Sequence, residues 1–478
     1  MNKRAWVSVL IATSVLAGCT GEYSAEKDFY QAMKIFDKAR NTEIITPGDL
    51  STVYKPALHA FQNIADKYPT SLKTPESLFL ISWMQMQLKN YDLARAALKK
   101  ITSDFSQFGS NGSDSRFQIG RLYEMEDRWK EAETWYWDTA EYHSLQKKGL
   151  YAPIYIYLHY KNDEKNKDTT AKEEVFIRAR DYYKALLEKI GPIQMSATVR
   201  NYLALLYLAH GDWRKTREMW LAVAKDYPAS SNGALSLMGA ADLTAQKKMP
   251  HEAVGLYRRF LKQYRNHPFN VKACVQIGMI HNEAKDYLHA RQWFQRAFAY
   301  SLKKDEVGQA GIKLLIGKTH QNEGQWEVAE KIYREIEQEY PISAAGLQVP
   351  LLIWSYHSSK QETEKADTAF GEAIARYNQL AQEFPRTKAA QTAKRYRNFL
   401  YGQKGDWNQV LANIDKDMAK EKRSEQRGNW LFEKAVITEK QLQDKAKAID
   451  SYQNFLDHFP NHRLAGLAKS RLQVLTGK

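Results

Sequence analysis

Cys19 is the residue whose type and setting most clearly suggest a covalent reaction. It closes the run Leu16-Ala17-Gly18-Cys19. The small residues at 17 and 18 would let a peptidase approach the peptide bond that precedes the cysteine, and the cysteine thiol could accept a diacylglycerol group. The Cys19 thiol is therefore a candidate for covalent modification after cleavage of the preceding peptide bond.

The residues before Cys19 have the composition of a secretory signal. Lys3 and Arg4 precede a mostly apolar run from Ala5 to Leu16, which is too short to span a bilayer as a stable helix. Together with the four residues that end in Cys19, this segment resembles the signal of bacterial lipoproteins. Residues 1–18 are thus expected to be a removed signal peptide, and residues 19–26 a short lipidated tether.

Thr20 bears on the membrane to which such a lipoprotein is sorted. An aspartate after the lipidated cysteine would resemble the inner-membrane retention signal of enteric bacteria, and threonine stands there instead. This favours lipid anchorage at the outer membrane, with the body of the protein in the periplasm.

Beyond Cys19 the sequence offers little for catalysis or cofactor binding. Cys274 has no second cysteine to pair with once Cys19 is lipidated, so we expect a buried thiol and no disulfide or thiolate metal site. His281 and His320 fall on positions that predict core packing. The chain has no glycine-rich phosphate loop and no nucleophile elbow. We therefore expect no enzyme activity, no catalytic residue, no metal ligand and no cofactor.

After the signal segment, the sequence predicts a helical hairpin that recurs along the chain. Aromatic-proline pairs such as Tyr68-Pro69 and Tyr227-Pro228 close helical stretches. Counting from these prolines predicts the first residues of eleven second helices, which lie 37 to 47 residues apart: Tyr54, Tyr91, Trp129, Phe176, Trp213, Pro250, Tyr287, Trp326, Phe370, Trp407 and Lys445.

A small residue and an aromatic residue follow each of these positions. The small residue comes three positions later and is alanine in nine of eleven cases; four residues further on stands an aromatic residue, again in nine of eleven. Examples are Ala329 with Tyr333 and Ala132 with Tyr136. Residues four apart share one helix face, so we expect the small residue to let helices approach and the ring to fill the space beside it.

This pattern resembles the tetratricopeptide repeat family over nearly the whole chain after the signal. Gly120, Gly278 and Gly317 stand where the family has a close-packed small residue in the first helix. The resemblance implies an all-α fold: a right-handed superhelical solenoid of about eleven helical hairpins over residues 27–478. Two polar stretches, Lys161 to Lys172 and Ser358 to Lys365, are expected to be solvated loops within their hairpins.

By the same resemblance, exposed positions on the first helices line a concave binding surface. In the N-terminal half these positions are mostly apolar and suit peptide segments: Phe79, Trp83, Met86, Phe117, Arg121, Leu205, Leu208, Met238 and Met279. Toward the C-terminus they are more basic: Lys318, Gln321, Arg395, Phe399 and Lys440. The alternative for the apolar group is burial between hairpins.

The net charge of +15 indicates which classes of partner the chain could bind. In the cell envelope nucleic acid is not expected, so the targets of a positive surface would be anionic lipid, an acidic glycan or acidic proteins. A dispersed positive charge also serves solubility alone.

Three functions remain. In the first, the chain is a scaffold that binds proteins of an envelope assembly or secretion machine, because its lipid-attachment motif, short tether and aromatic-proline hairpin ends are similar to those of the lipoprotein of the barrel-assembly machinery and of related periplasmic coordinator proteins. In the second, it supports an exopolysaccharide export system. The third, a glycan-processing enzyme, is disfavoured because no segment is left for a catalytic domain.

Overall fold

The computed structural model describes residues 3–40, 47–106, 111–163, 169–302, 305–419 and 424–477. The side chains of residues 3–20, 47–49 and 424 lie outside this description, and so does the side chain of the predicted lipidation site, Cys19.

Across the described ranges the chain forms 23 α-helices and no strand. The first twelve are α1 (Lys3–Arg40), α2 (Pro47–Lys67), α3 (Lys73–Gln87), α4 (Tyr91–Asp104), α5 (Asn111–Glu124), α6 (Trp129–Tyr142), α7 (Lys147–Asn162), α8 (Thr169–Ile190), α9 (Gln194–His210), α10 (Trp213–Asp226), α11 (Ser231–Gln246) and α12 (Pro250–Gln263). The others are α13 (Asn270–Glu283), α14 (Tyr287–Tyr300), α15 (Glu306–Asn322), α16 (Trp326–Glu339), α17 (Ala344–Ser359), α18 (Thr363–Glu383), α19 (Lys388–Gln403), α20 (Trp407–Met418), α21 (Ser424–Lys440), α22 (Lys445–His458) and α23 (Ala465–Thr476).

The chain divides into two compact units, Met1–Leu256 and Tyr257–Lys478. Within each unit, helices that follow one another in sequence pack together, as α3 does with α4 and α13 with α14. The predicted all-α fold of helical hairpins is therefore confirmed. Among the residues that the structure describes, no helix is both long and apolar enough to cross a membrane.

The turn inside a hairpin fixes where the second helix begins. Between α9 and α10, Gly211 adopts a left-handed conformation with φ of 105°, which glycine reaches without strain. Asp212 then caps α10, because its carboxylate accepts a hydrogen bond of 2.9 Å from the N–H of Lys215. Second helices begin at eight of the predicted residues: Tyr91, Trp129, Trp213, Pro250, Tyr287, Trp326, Trp407 and Lys445.

The predicted pairs of alanine and aromatic residues form the repeated core. All nine alanines are fully buried: Ala57, Ala94, Ala132, Ala179, Ala253, Ala290, Ala329, Ala373 and Ala448. Eight of the nine aromatic partners are buried as well: Phe61, Tyr136, Tyr183, Tyr257, Phe294, Tyr333, Tyr377 and Tyr452. The ninth, Trp220, follows Thr216 instead of an alanine and is half-buried. Each ring occupies space that the small residue one turn earlier leaves open, which explains the spacing.

Glycines on three first helices let these rings approach the backbone. A Cβ atom added to Gly278 would lie 2.5 Å from the ring of Phe294, and one added to Gly317 would lie 2.5 Å from Tyr333. Real Cβ atoms do not come this close to other carbon atoms. The predicted close-packed role of these glycines is confirmed.

The prediction that the two polar insertions are loops holds only in part: residues 360–362 lie outside any helix, whereas residues 161–162, 169–172, 358–359 and 363–365 are helical. The second helix α18 starts at Thr363, seven residues before Phe370, and has 21 residues where α16 has 14. Ala366 and Ala369 in the added turns are buried. Likewise α8 starts at Thr169, so only residues 164–168 of the first insertion remain outside the described chain. Alanine, glutamate and lysine favour helix, which outweighs the polarity of these stretches.

The helical body begins earlier than residue 27, where the sequence places it. Residues 21–26, predicted to belong to an extended tether, are part of α1, and Ala25 is fully buried. The Glu22 carboxylate accepts a hydrogen bond of 3.2 Å from the N–H of Leu72, and the Tyr68 hydroxyl donates one of 2.9 Å to Asp28. These contacts hold α1 against the hairpin that follows.

Candidate partner-binding surface

First helices of neighbouring hairpins contact one another within each unit. In the first unit α3 touches α5, α5 touches α7, and α7 touches α9; in the second unit α15 touches α17, and α17 touches α19. The residues predicted to bind partners stand on these helices. Their exposure decides which of them are available to another molecule.

Phe117 and Met238 are not available, because only 4% and 2% of their surfaces are exposed. The Phe117 ring lies 4.8 Å from the ring of Tyr136 and 5.4 Å from that of Tyr155, so it fills the space between two hairpins. Met238 lies on α11, whose small residues, among them Gly233 and Ala234, let the helix pack closely. The prediction that these two side chains face a partner is wrong.

The apolar side chains of α3 are half-buried. The Trp83 ring makes edge contacts with Phe36 at 5.5 Å and with Tyr54 at 5.9 Å between centroids. Phe79 and Met86 pack against the same core. The main role of these three residues is therefore to stabilise the N-terminal hairpins. Only part of the surface of each side chain is available to a partner.

Leu205 is the apolar residue of the predicted N-terminal set that stays exposed, at 41%, whereas Leu208 is half-buried. Arg121 is also exposed, and its guanidinium donates a hydrogen bond of 2.7 Å to the Tyr155 hydroxyl. The N-terminal unit thus presents a mixed polar surface in place of the apolar groove that the sequence predicts.

A polar cluster around Glu124 lies beside Arg121, and the sequence did not predict it. The Glu124 carboxylate accepts hydrogen bonds from the hydroxyls of Tyr136, at 2.9 Å, and Tyr155, at 2.8 Å. Burial, together with the hydrogen bond to Glu124, raises the pKa of Tyr155. A sequence signal for the Tyr136 bond does exist: Gln321 and Tyr333, also twelve residues apart, make the equivalent contact at 2.7 Å.

In the second unit the structure brings three predicted residues to one pocket. Met279, Lys318 and Gln321 line a cavity of about 290 Å³ with Leu352 and Asn282. These residues come from α13, α15 and α17, which are successive first helices. Their convergence agrees with a surface built from the first helices.

A larger cavity, the C-terminal groove, opens between α19, α20 and α21 with a volume of about 470 Å³. It contains the predicted Arg395 and Phe399, both exposed. The exposed Lys440 is not among its lining residues. The groove is lined by Gln391, Lys394, Arg395, Asn398, Phe399, Gly402, Gln403, Trp407, Val410, Asp417, Gln426, Asn429, Trp430, Glu433 and Ile437.

The groove lies beside a helix that departs from the repeated sequence pattern. Where eight hairpins carry both alanine and an aromatic ring, α20 carries Val410 and Ile414, and it has only 12 residues. Val410 lines the groove, whereas Ile414 is buried in the hydrophobic core beside it.

Buried ion pairs fix the wall of the groove. The Asp417 carboxylate contacts the Arg397 guanidinium at 2.9 Å and the Lys394 ammonium at 3.0 Å. That ammonium also lies 5.7 Å from the centroid of the Trp430 ring. Arg397 and Asp417 are buried, so their pairing holds α19 and α20 in place below the exposed residues.

Three segments of the chain, residues 76–107, 202–230 and 431–462, match the tetratricopeptide repeat family. They coincide with the hairpins α3–α4, α9–α10 and α21–α22. The chain therefore contains tetratricopeptide repeats. A comparison with curated proteins finds no match.

Solved structures with similarity to the chain include yeast Tom70, at 13% identity over 94% of this chain and 96% of that one, with a TM-score of 0.36. A tetratricopeptide repeat protein from Parabacteroides merdae aligns at 16% identity over 62% of this chain and 99% of its own, with a TM-score of 0.31. The complex of Naa15/Naa10 bound to HypK-THB aligns at 13% identity over 95% of this chain and 66% of its own, with a TM-score of 0.34.

Proposed function

We propose that this chain of tetratricopeptide repeats is a lipid-anchored scaffold of the bacterial cell envelope, which binds protein partners of an assembly or secretion machine. The repeats support the scaffold role. The signal-like segment that ends in Cys19, followed by Thr20, supports anchorage at the outer membrane with the body in the periplasm. In this proposal the chain acts by binding other molecules and not by catalysis.

The C-terminal groove is the observation that carries the proposal. Its volume of about 470 Å³ can hold one or two side chains of a partner. Phe399, 48% exposed, and Trp430 supply apolar surface, and Arg395 supplies a positive charge beside them. Such a site suits an extended segment of a partner protein in which a bulky apolar side chain stands next to an acidic residue.

Side-chain amides along the groove suit the backbone of the same segment. Asn398, Gln403, Gln426 and Asn429 are among the lining residues. An amide side chain both donates and accepts hydrogen bonds, so it can pair with a peptide group in either sense. The amides would hold the backbone of the partner while Phe399 and Arg395 select its side chains.

The test is crosslinking at the groove in the native envelope. A photoreactive phenylalanine analogue at position 399 is expected to capture envelope assembly or secretion proteins, identified by mass spectrometry. Leu467 on α23 is 52% exposed and outside the groove, which makes it the matched control position. Arg395→Glu should abolish most of the crosslink at 399, because it reverses the charge that faces the acidic residue.

Equal capture at positions 399 and 467, or capture at 399 that Arg395→Glu leaves unchanged, would contradict the groove as the partner site. Capture of proteins outside the envelope would contradict the location as well.

The charge of +15 favours one second candidate, a repeat lipoprotein that supports export of an acidic polysaccharide. Trp407 and Trp430 in the groove report on this directly, because a bound polymer changes their fluorescence. Saturable quenching by a polyuronate, with competition against the crosslink at position 399, would favour this second function over the first.

A further inference from the structure

Three hairpins of the second unit share a histidine contact at their turns. A histidine near the end of the first helix pairs with the residue five positions later, which directly precedes the second helix. The ring nitrogen lies 2.9 Å from the Asp286 carboxylate for His281, 2.7 Å from the Gln325 amide oxygen for His320 and 2.6 Å from the Glu362 carboxylate for His357. Because the contact recurs, it belongs to the turn itself and holds the two helices of the hairpin together.

The hairpin of His281 differs from the other two by one residue. His289, the third residue of α14, places its Nδ1 atom 2.9 Å from each oxygen of the Asp286 carboxylate. Valine and lysine occupy the equivalent positions, Val328 and Lys365, in the other two hairpins. Only this one of the three turns therefore joins two imidazoles to one carboxylate.

We propose that His281, Asp286 and His289 form a binding site for a divalent transition-metal ion of the Zn²⁺ type. One ligand atom from each residue lies within 4.8 Å of the other two. Imidazole nitrogen and carboxylate oxygen bind Zn²⁺ at about 2.0–2.2 Å, so small rotations of the side chains bring all three onto one ion. Two imidazoles also favour Zn²⁺, Cu²⁺ or Ni²⁺ over Mg²⁺ and Ca²⁺, which prefer oxygen ligands.

The turn holds the ligands in place before an ion binds. Lys285 adopts a left-handed conformation with φ of 60°, and the N–H of Asp286 donates a hydrogen bond of 2.9 Å to the carbonyl of His281. The spacing of the ligands along the chain is thus fixed by the backbone. The C-terminal end of α13 also favours a cation and offsets the opposite effect of the N-terminal end of α14.

The exposure of the three side chains leaves room for a further ligand. His281 is 21%, Asp286 39% and His289 54% exposed. A tetrahedral ion held by three protein groups keeps one position open, which water or a side chain of another protein can take. The site is separate from the C-terminal groove, so it adds a metal-dependent contact to the proposed scaffold.

The test is equilibrium binding of Zn²⁺ to the full chain, purified without a histidine tag and treated with a chelator. Calorimetry should show one ion per chain. Co²⁺ bound in place of Zn²⁺ should give the visible absorption spectrum of an ion with a low coordination number. We expect His289→Ala and Asp286→Asn each to lower the affinity by about tenfold or more. Asparagine still caps a helix, so the second variant keeps the turn.

The matched controls are His320→Ala and His357→Ala, which remove the same turn contact where no third ligand is present. Both should bind Zn²⁺ as the unaltered chain does. The proposal is overturned if the chain binds no ion in this experiment, if His289→Ala binds as tightly as the unaltered chain, or if the control variants lose affinity to the same extent.

Discussion

Gly278 and Phe294 define the closest approach between the two helices of their hairpin, since a Cβ atom on Gly278 would lie 2.5 Å from the phenylalanine ring. The same relationship joins Gly120 to Tyr136, at 2.6 Å. Both rings are buried and surrounded by packed atoms, so they have no space to move away. The distance between these helices therefore depends on the absence of a side chain at one position.

The first prediction is that Gly278→Ala destabilises the second unit. Alanine favours helix over glycine by about 1 kcal/mol, but crowding a packed core costs typically 1–3 kcal/mol, and the rigid ring makes the crowding term larger. Chemical denaturation followed by circular dichroism measures the difference.

Gly311 is the control, because it also lies within a helix but has nothing within 4 Å of an added Cβ. Gly311→Ala should leave stability unchanged or raise it slightly. A stabilising effect of Gly278→Ala would show that the hairpin can open to accept a methyl group.

The second prediction concerns Phe117, which the structure moves from the binding surface to the core. Phe117→Ala should lower the stability of the first unit by about 3–5 kcal/mol, because the lost ring leaves a cavity beside Tyr136. Phe399→Ala, at a half-exposed position, should cost far less. Equal unfolding midpoints for the two variants would contradict the assignment of Phe117 to the core.

The third prediction uses pH. The pKa of Glu439 falls to about 2 from an ordinary value of 4.5, chiefly through the hydrogen bond from Arg471 on α23, with further help from Lys440 and Tyr452. A depressed pKa means that the stabilisation is present above pH 4.5 and is lost as the pH falls toward 2. The end of the chain should therefore loosen over this window.

Hydrogen exchange of the α23 amides measures this loss. Glu439→Gln should speed exchange at pH 7, by an amount that reflects about 1–2 kcal/mol, because a charge-assisted bond is replaced by a neutral one. Near pH 2 the variant and the unaltered chain should converge. An effect of the substitution that persists unchanged at pH 2 would show that the charge of Glu439 is not its source.

The fourth prediction concerns Cys19, whose lipidation stays a sequence-based proposal. Cys19→Ser should leave an uncleaved or soluble chain that takes up no labelled fatty acid. Cell fractionation with labelling measures both outcomes. Cys274→Ser is the control, since that thiol is buried within α13 and should not affect anchorage. A Cys19→Ser chain that still carries label in the outer membrane would rule out this site of lipidation.

The sequence predicts the hairpins well because each hairpin must satisfy the same packing constraint. Ala329 and Tyr333, like the equivalent pairs in other hairpins, mark this packing constraint in the sequence. Counting residues from one pair to the next therefore predicts where most second helices begin. The exposure of first-helix residues does not follow in this way. Phe117 and Leu205 occupy positions predicted alike, yet one is buried and the other exposed, because the sizes of side chains on neighbouring helices decide the outcome.

The polar insertions and the C-terminal groove show two further limits. Polarity alone does not distinguish a solvated helix from a loop, so the helical turns that begin at Thr363 were missed. Val410 did carry a usable signal, because it replaces the alanine of the repeated pattern on α20 and lines the C-terminal groove.

The lengthening of α18 sets a rule for how this chain can vary. Seven added residues make about two complete helical turns, so the angular phase of every later side chain is nearly restored, and Ala366 simply precedes Ala373 by one period. An insert of five residues would instead rotate the helix by about 140° and turn its alanine and aromatic residues toward solvent. Residues added within a second helix therefore preserve its packing face when they complete whole turns, whereas other added lengths must be taken up by the turn between the two helices.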